Sequence, residues 1–479
     1  MIVKKFILYL LALVIYGTGV DSRVFAGDHP PVSPGISDSL YTSAVSPIID
    51  PDGADPFVLK TEGGYLYTKT TGSDICLGMT DSILKLGACS EKVVFRPDGG
   101  LKDLWAPEIW SLDGRWYIYF AAVVPGEEMH HMYVLENSSE DPMQGEWTCL
   151  PLAGMDDKFA IDGTVFELNE KRYFLWSGWE GYTNIRQDLY LAEMVSPIQV
   201  KEEKICLSVP EYPWETVGNP LVNEGPEILI KGNTVNLVYS ASGRWTDDYC
   251  LGLLTMHADD DPKIPGNWIK HEMPILEKSG DVYGPGHNCF TVSPDGTQDL
   301  IVYHAARWKG AGWTRNVRFG YVAFEDSGSI ARMQPVSGED RLPVPSGSGR
   351  ICSVPLKDAV LSDDLTYICA DSQSSGSQMD AVIKGRWSGK TEILLPLSAE
   401  NNMEAVLTLY VRTFKTREGS LCTLGAATDF GTTAASVYAA ENPQPVSLPV
   451  ELHPGDNSVR IFTIEGRAEL EILRMELMQ

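Results

Sequence analysis

Hydrophobic and polar positions along this chain alternate with a period of two over short runs, and Gly, Asn or Asp turns break the runs at close intervals. From Ala54, ADPFVLKTEGGYLYTKT sets an aspartate ahead of a short apolar strand, a Gly-Gly turn and an aromatic strand. The arrangement returns in WAPEIWSLDGRWYIYFAA, in IDGTVFELNEKRYFLWSGW from Ile161, in EGPEILIKGNTVNLVYSAS from Glu224 and in GHNCFTVSPDGTQDLIVYHAA from Gly286. Each copy carries an aromatic in its second strand, at Tyr67, Tyr119, Trp176, Tyr239 and Tyr303.

Strand pairs repeated about 50 to 65 residues apart predict the blades of a β-propeller rather than a helical solenoid. One blade cannot bury both of its faces, so five close around an axis. The polar residues that open the inner strands, Asp55, Glu108, Asp162, Glu224 or Glu227, and His287, are then expected at one end of that axis. The propeller is expected over residues 46–340. GEDRLPVPSGSGR, from Gly338 to Arg350, marks a boundary. Beyond it, short strands such as EAVLTLYVRTF and NSVRIFTIEG predict a β-sandwich or jelly roll over residues 350–479. The expected class is all-β.

The start of the chain changes this picture only by subtraction. MIVKKFILYLLALVIYGTGVDSRVFAGD has two lysines, an apolar run and small residues ending at Ala26, so residues 1–26 are expected to be a signal peptide. The remainder is expected to be secreted or periplasmic, without membrane insertion. The formal net charge of −27 excludes nucleic acid and anionic membranes as natural partners, because phosphate recognition needs clustered cations. Nine scattered cysteines have neither the spacing of a zinc site nor that of a disulfide framework.

Several carboxylates rimmed by tryptophans suit a neutral polyol. Glycoside hydrolysis needs one protonated and one ionised carboxyl across the scissile bond, and a third charge nearby can raise the pKa of the acid. Trp105, Trp179, Trp245, Trp308 and Trp313 lie near the repeated motifs and could stack on sugar faces.

The series ADPFV, WAPEI, IDGTVF, EGPEILI and GPGHNCF, followed by YHA and a late VRF, resembles glycoside hydrolase family 43, the five-bladed propeller glycosidases. The resemblance covers about 300 of the 479 residues. NEGPE with YSASGRWTDDYCLGLL is most similar to the α-L-arabinofuranosidase branch. The resemblance implies Asp55 as general base, Asp162 as the residue that tunes and orients the acid, and Glu224 as general acid. It implies Trp105 and Glu108 in the sugar subsite, with Trp179 and Trp245 beside them. His287 would help hold a calcium ion or a water cluster in the central channel. Arg318 matches the late arginine, with Arg315 as the second candidate. The C-terminal region resembles carbohydrate-binding module family 6, with Trp387 and Tyr410 as candidate sugar contacts.

The implied activity is inverting release of terminal α-L-arabinofuranosyl residues from plant cell-wall oligo- or polysaccharide. The alternatives are a β-xylosidase or exo-galactanase of the same family, a retaining fructan-type hydrolase, and a non-catalytic sugar-binding propeller. Each residue also has a structural rival. Asp55 before proline and Asp162 before glycine could be turn residues, and His287 could be a satisfied core histidine.

Overall fold

The computed structural model of the chain describes residues 41–368, 381–414 and 418–479; the expected signal peptide lies outside these residues. Five antiparallel sheets follow one another, one for each sequence repeat. The first runs through Phe57–Thr61, Gly64–Thr68, Ile75–Thr80 and Glu91–Phe95, and the second through Lys102–Leu112, Arg115–Val123, His130–Asn137 and Thr148–Pro151. The third and fourth open on Ala160–Leu168 and Leu221–Lys231 and touch through a short parallel pairing of Arg186 with Leu221. The fifth combines Tyr283–Val292, Asp299–Ala306 and Arg315–Tyr321 with Ile48–Asp50 from the start of the described chain. That borrowed outer strand completes the fourth strand of the last blade and ties the start of the described chain to its end.

The register reveals a feature that the alternation pattern hides. In every inner strand two residues stand opposite one, a one-residue β-bulge. Ile161 and Thr164 face Ser177 and Leu175, while Glu224 and Glu227 face Ser240 and Val238. Trp105/Glu108 and Gly286/Cys289 show the same offset, and Ala54 meets Thr70 ahead of the Phe57–Thr68 pair. The first inserted residue is always left-handed: Asp55 at φ 52°, Ala106 at 44°, Asp162 at 56°, Gly225 at 54° and His287 at 47°. Four of these five are not where chain sterics favour them on their own, so the fold imposes the conformation. The equivalent positions are therefore Asp55, Ala106, Asp162, Gly225 and His287. Glu224 precedes its bulge, whereas Glu108 and Glu227 lie two residues further along their strands, which corrects the expected ring of openers.

Ile351–Val354 begins a two-sheet antiparallel sandwich that continues to Met478. Its core is Leu, Val and Ile around Trp387, Leu407, Leu424 and Leu470. Trp387 is wholly buried there, and Tyr410 is buried with its hydroxyl donating 3.0 Å to Glu476 and Arg474 over its ring. Neither offers a face to sugar. The sandwich shares apolar contacts with the propeller, where Val406 and Met478 join the core around Phe57 and Phe319. Eight described cysteines are free, and among the described residues no helix is long and apolar enough to cross a membrane.

Candidate active site

The bulges turn the side chains of Asp55, Asp162 and His287 toward one point on the axis. His287 Nδ1 lies 3.3 Å from Asp55 Oδ1 and 4.0 Å from Asp162 Oδ2. Asp162, Glu224 and His287 each bring a polar atom within 4.8 Å of the others. All four residues are buried. The three carboxyls that the resemblance implies are thus assembled from the first, third and fourth blades around a histidine of the fifth.

Their surroundings differ. Burial opposes a charge on Asp55, but His287, a hydrogen bond from His304 and the Arg315 guanidinium more than offset it and hold the carboxyl well below the usual range. Arg315 Nη1 stands 3.4 Å from Asp55 Oδ1 and 3.2 Å from His304 Nε2. Asp162 is pushed up to about 7, first by burial and then by the charges of Glu224 and Asp55, with His287 working against the rise. Its Oδ2 accepts the amide of Gly225 at 3.0 Å, which fixes it beside Glu224. Glu224 accepts from the Tyr249 hydroxyl at 2.8 Å.

The motif glycines follow from these contacts. A methyl group on Gly286 would stand 2.3 Å from the Tyr249 ring that holds Glu224, and one on Gly163 would stand 2.1 Å from Phe174. The close approach of backbone to ring leaves room for glycine alone.

Glu108 and Glu227 form a second, lower pair. Glu108 is pushed up to about 8 by burial, although Trp110 and Glu227 hydrogen-bond to it; burial and the neighbouring Glu108 carry Glu227 well above the ordinary range. Trp110 Nε1 donates to Glu108 at 3.2 Å. Glu227 thus pairs with Glu108, whereas Glu224 is the one that stands with Asp162 and His287. Glu108 lies two residues beyond the bulge position of its strand, at Ala106, and is buried with Trp110 and Glu227 as its partners.

Aromatic and cationic groups make the rim. Trp179 stacks on Phe159 at 4.4 Å, Phe159 meets His130 edge-on at 6.0 Å, and His130 stacks on Trp105 at 3.6 Å. Arg244 then lies over both Trp105, at 4.7 Å, and Trp313, at 4.3 Å. Its charge also faces Glu224, Asp55 and Asp162. Trp245 is exposed, with its ring over Gly243 and Gly218, outside this stack. Trp308 meets Arg307 at 6.0 Å, away from the carboxyls.

The late arginine is corrected. Arg318 is fully buried in the fifth blade, bonded to Asn316 at 3.1 Å and to the Val336 carbonyl at 2.8 Å, and does not reach the site. Arg315, three residues earlier, does. Arg244, Tyr249 and His304 were missed in the sequence. Arg244 had one visible signal, a lone cation in a tryptophan-bearing loop of an acidic chain.

A calcium ion fits this donor set poorly. Calcium takes six to eight oxygen ligands. Here two carboxyls and an imidazole converge, Asp162 is already bonded to Gly225, and His287 Nδ1 faces Asp55. No step below passes through a metal.

Residues 44–330 match the model of Glycosyl hydrolases family 43. The chain belongs to this family. Among family 43 relatives, the extracellular exo-α-(1→5)-L-arabinofuranosidase of Streptomyces chartreusis is 38% identical over 268 residues, which cover 53% of this chain and 80% of the relative. The α-L-arabinofuranosidase 43 of Humicola insolens is 36% identical over 262 residues, 52% of this chain and 54% of the relative. The crystal structure of α-L-arabinofuranosidase from Lactobacillus brevis superposes with a TM-score of 0.56 at 33% identity, covering 59% of this chain and 94% of that one. Family membership and the assembled carboxyls together make the chain a glycoside hydrolase.

Proposed function

We propose that this family 43 enzyme removes terminal α-L-arabinofuranosyl residues from plant cell-wall glycans by single displacement with inversion. The observation that carries the mechanism is the opposite treatment of two carboxyls around His287. Asp55 is held ionised and can take a proton from water, while Asp162 is pushed toward its protonated form beside Glu224. In this reading Glu224 gives the proton to the leaving oxygen, with Asp162 fixed beside it through the Gly225 amide. Water attacks from the Asp55 side as the glycosidic bond breaks, so the anomeric configuration inverts. Tyr249 keeps Glu224 in place, and Arg244 with Trp105 supplies the wall against which a small sugar packs.

The sugar is read from the relatives, whose names specify arabinofuranosidase at 34–38% identity. Two of those names also say extracellular, which supports export of this chain. The test is a nitrophenyl-glycoside panel with α-L-arabinofuranoside, β-D-xyloside and β-D-galactoside, run on wild type and on Glu224→Gln, with the product anomer read by NMR. Arabinofuranoside hydrolysis giving the inverted sugar is expected. In Glu224→Gln, loss should be about 100-fold or more on arabino-oligosaccharides and smaller on the nitrophenyl substrate, whose leaving group needs less protonation. Cleavage of the xyloside or galactoside alone would replace the sugar and keep the mechanism; a retained anomer would overturn the mechanism.

A further inference from the structure

His304 takes no part in the steps above, yet it touches the supports of both carboxyls that those steps use. It stands on the second strand of the fifth blade, Asp299–Ala306, opposite Gly286 and Val317, and is fully buried. Its ring stacks on that of Tyr249 at 5.7 Å and 11°, and Tyr249 is the residue whose hydroxyl holds Glu224. The His287 ring lies 5.8 Å away. The two nitrogens of His304 reach Asp55 and Arg315.

Those nitrogens have different roles. Burial and the charge of Arg315 push the ring down to about 3, so it is neutral and carries one hydrogen. Arg315 Nη1 stands 3.2 Å from Nε2, and a guanidinium has hydrogens to give but no lone pair to receive one. Nε2 is therefore the acceptor, and the hydrogen sits on Nδ1. Two groups of Asp55 lie beside that hydrogen, Oδ1 at 3.4 Å and the amide nitrogen at 3.1 Å from Nδ1. The amide is itself a donor and would need a bare Nδ1. Two charge-assisted bonds, from the guanidinium and to the carboxylate, outweigh that single neutral one.

The contacts of Asp55 also fall on one oxygen. His287, His304 and Arg315 make their closest approach to Oδ1, at 3.3, 3.4 and 3.4 Å. Among the described residues no hydrogen bond reaches Oδ2. Oδ1 is the anchored oxygen, and Oδ2 is left to take the proton of water while the water oxygen bonds to the anomeric carbon and the glycosidic bond breaks. An inverting hydrolase must keep its base and acid roughly 6.5–9.5 Å apart. Here a single ring joins the anchor of the base to the holder of the acid.

We propose that His304 is a positioning residue for the general base: with its tautomer set by Arg315, its Nδ1–H turns Asp55 so that Oδ2 meets the water, and its ring on Tyr249 keeps the base in register with Glu224. The proposal rests on the reading of Asp55 as the base. It gives a part to the histidine of YHA, which stands outside the series of carboxyl motifs.

The experiment separates the two nitrogens. His304→Asn puts an amide nitrogen where Nδ1 stood, beside Asp55; His304→Gln puts an amide oxygen where Nε2 stood, beside Arg315 and away from Asp55. Both variants lose the ring, so a role in packing alone lowers them equally. For both, with wild type and Asp55→Asn alongside, kcat and KM are measured on the nitrophenyl glycoside that wild type hydrolyses, expected to be the α-L-arabinofuranoside. The expected result is a kcat about 100-fold or more below wild type in His304→Gln and within about tenfold of it in His304→Asn, with each KM within about threefold. Equal kcat in the two variants, a smaller loss in His304→Gln, or a change confined to KM overturns the proposal. Where a variant does not melt cooperatively, NMR of wild type with isotope-labelled histidine reads the tautomer: a buried neutral ring protonated at Nδ1 supports the proposal, and one protonated at Nε2 overturns it. A wild type that hydrolyses no glycoside, or an Asp55→Asn variant that keeps more than a tenth of wild-type kcat, overturns the underlying reading and the positioning role with it. Both of those failures are read without any change at His304.

Discussion

Two groups of buried carboxyls lie on the inner strands of the blades, with Glu224 and Glu227, one from each group, three residues apart on the same strand, and they behave in opposite ways. The upper group, Asp55, Asp162 and Glu224, is surrounded by His287, Arg315 and Arg244, and within it Asp55 is held well below the usual range while Asp162 is pushed up to about 7. The lower group, Glu108 and Glu227, has no cation, only Thr164, Trp110 and each other, and both are driven toward neutrality. Residue type and burial are the same in the two places. The difference is the set of cations that the fourth and fifth blades contribute, and that set, more than the carboxyls, makes one level a reaction site and leaves the other a neutral hydrogen-bonded pair.

The comparison is tested most severely at its ionised member. Asp55→Asn keeps the shape of the side chain and its place beside His304 but cannot accept a proton. We expect kcat to fall by about 10³-fold on every substrate, including nitrophenyl arabinofuranoside, because water activation does not depend on the leaving group. A variant retaining more than a tenth of wild-type kcat would break the assignment of the base and with it the distinction between the two levels.

A milder change removes one of the cations. Arg315→Gln leaves the carboxyls in place and takes away a charge 3.4 Å from Asp55. Asp55 must be ionised to act, and its pKa is lowered partly by Arg315, so losing that charge raises the pKa. The acidic limb of the kcat/KM profile should then move to higher pH by about one unit or more. Arg318→Gln is the control, since Arg318 lies apart in the blade; it should leave the limb where it is. A limb that moves with Arg318 rather than Arg315 would restore the sequence-based assignment.

The difference between the levels also marks what the sequence could disclose. Period-two alternation and turn residues are local signals, and they located all five blades and the sandwich. The convergence of Asp55, Asp162 and Glu224 was legible because each sits in a short motif fixed by backbone needs: the bulge at Asp55 and Asp162, and the glycines that make room for Tyr249 and Phe174. Arg244, Tyr249 and His304 carry no such local constraint. They reach the site from second strands and connecting loops, so only the assembled ring shows that they face it. Arg315 and Arg318 lie on one strand three residues apart, and motif order alone could not choose between them. Glu108 was placed with the strand openers and in the sugar subsite because the one-residue bulge, which shifts everything after it, leaves no mark in the hydrophobic pattern.

The smallest effect concerns the lower level, where the readout is stability rather than rate. Glu108 is pushed up to about 8 from an ordinary 4.5 by burial. The folded chain therefore keeps this proton over a range in which the unfolded chain has already lost it, so the folded state binds more protons there. Its contribution to stability is complete below about pH 4.5 and is lost as the pH rises through about 8. Glu108→Gln supplies a neutral group of the same shape with no proton to lose. Between about pH 5 and pH 8 the wild-type Tm should fall further than that of Glu108→Gln, by a few degrees, at about 2–4 °C per kcal/mol for a chain of this size or somewhat smaller. Thermal melts of the two proteins across that range give the comparison directly. Parallel curves would mean that the lower carboxyls ionise in the folded protein as readily as in the unfolded one, and the contrast between the two levels would then rest on position alone.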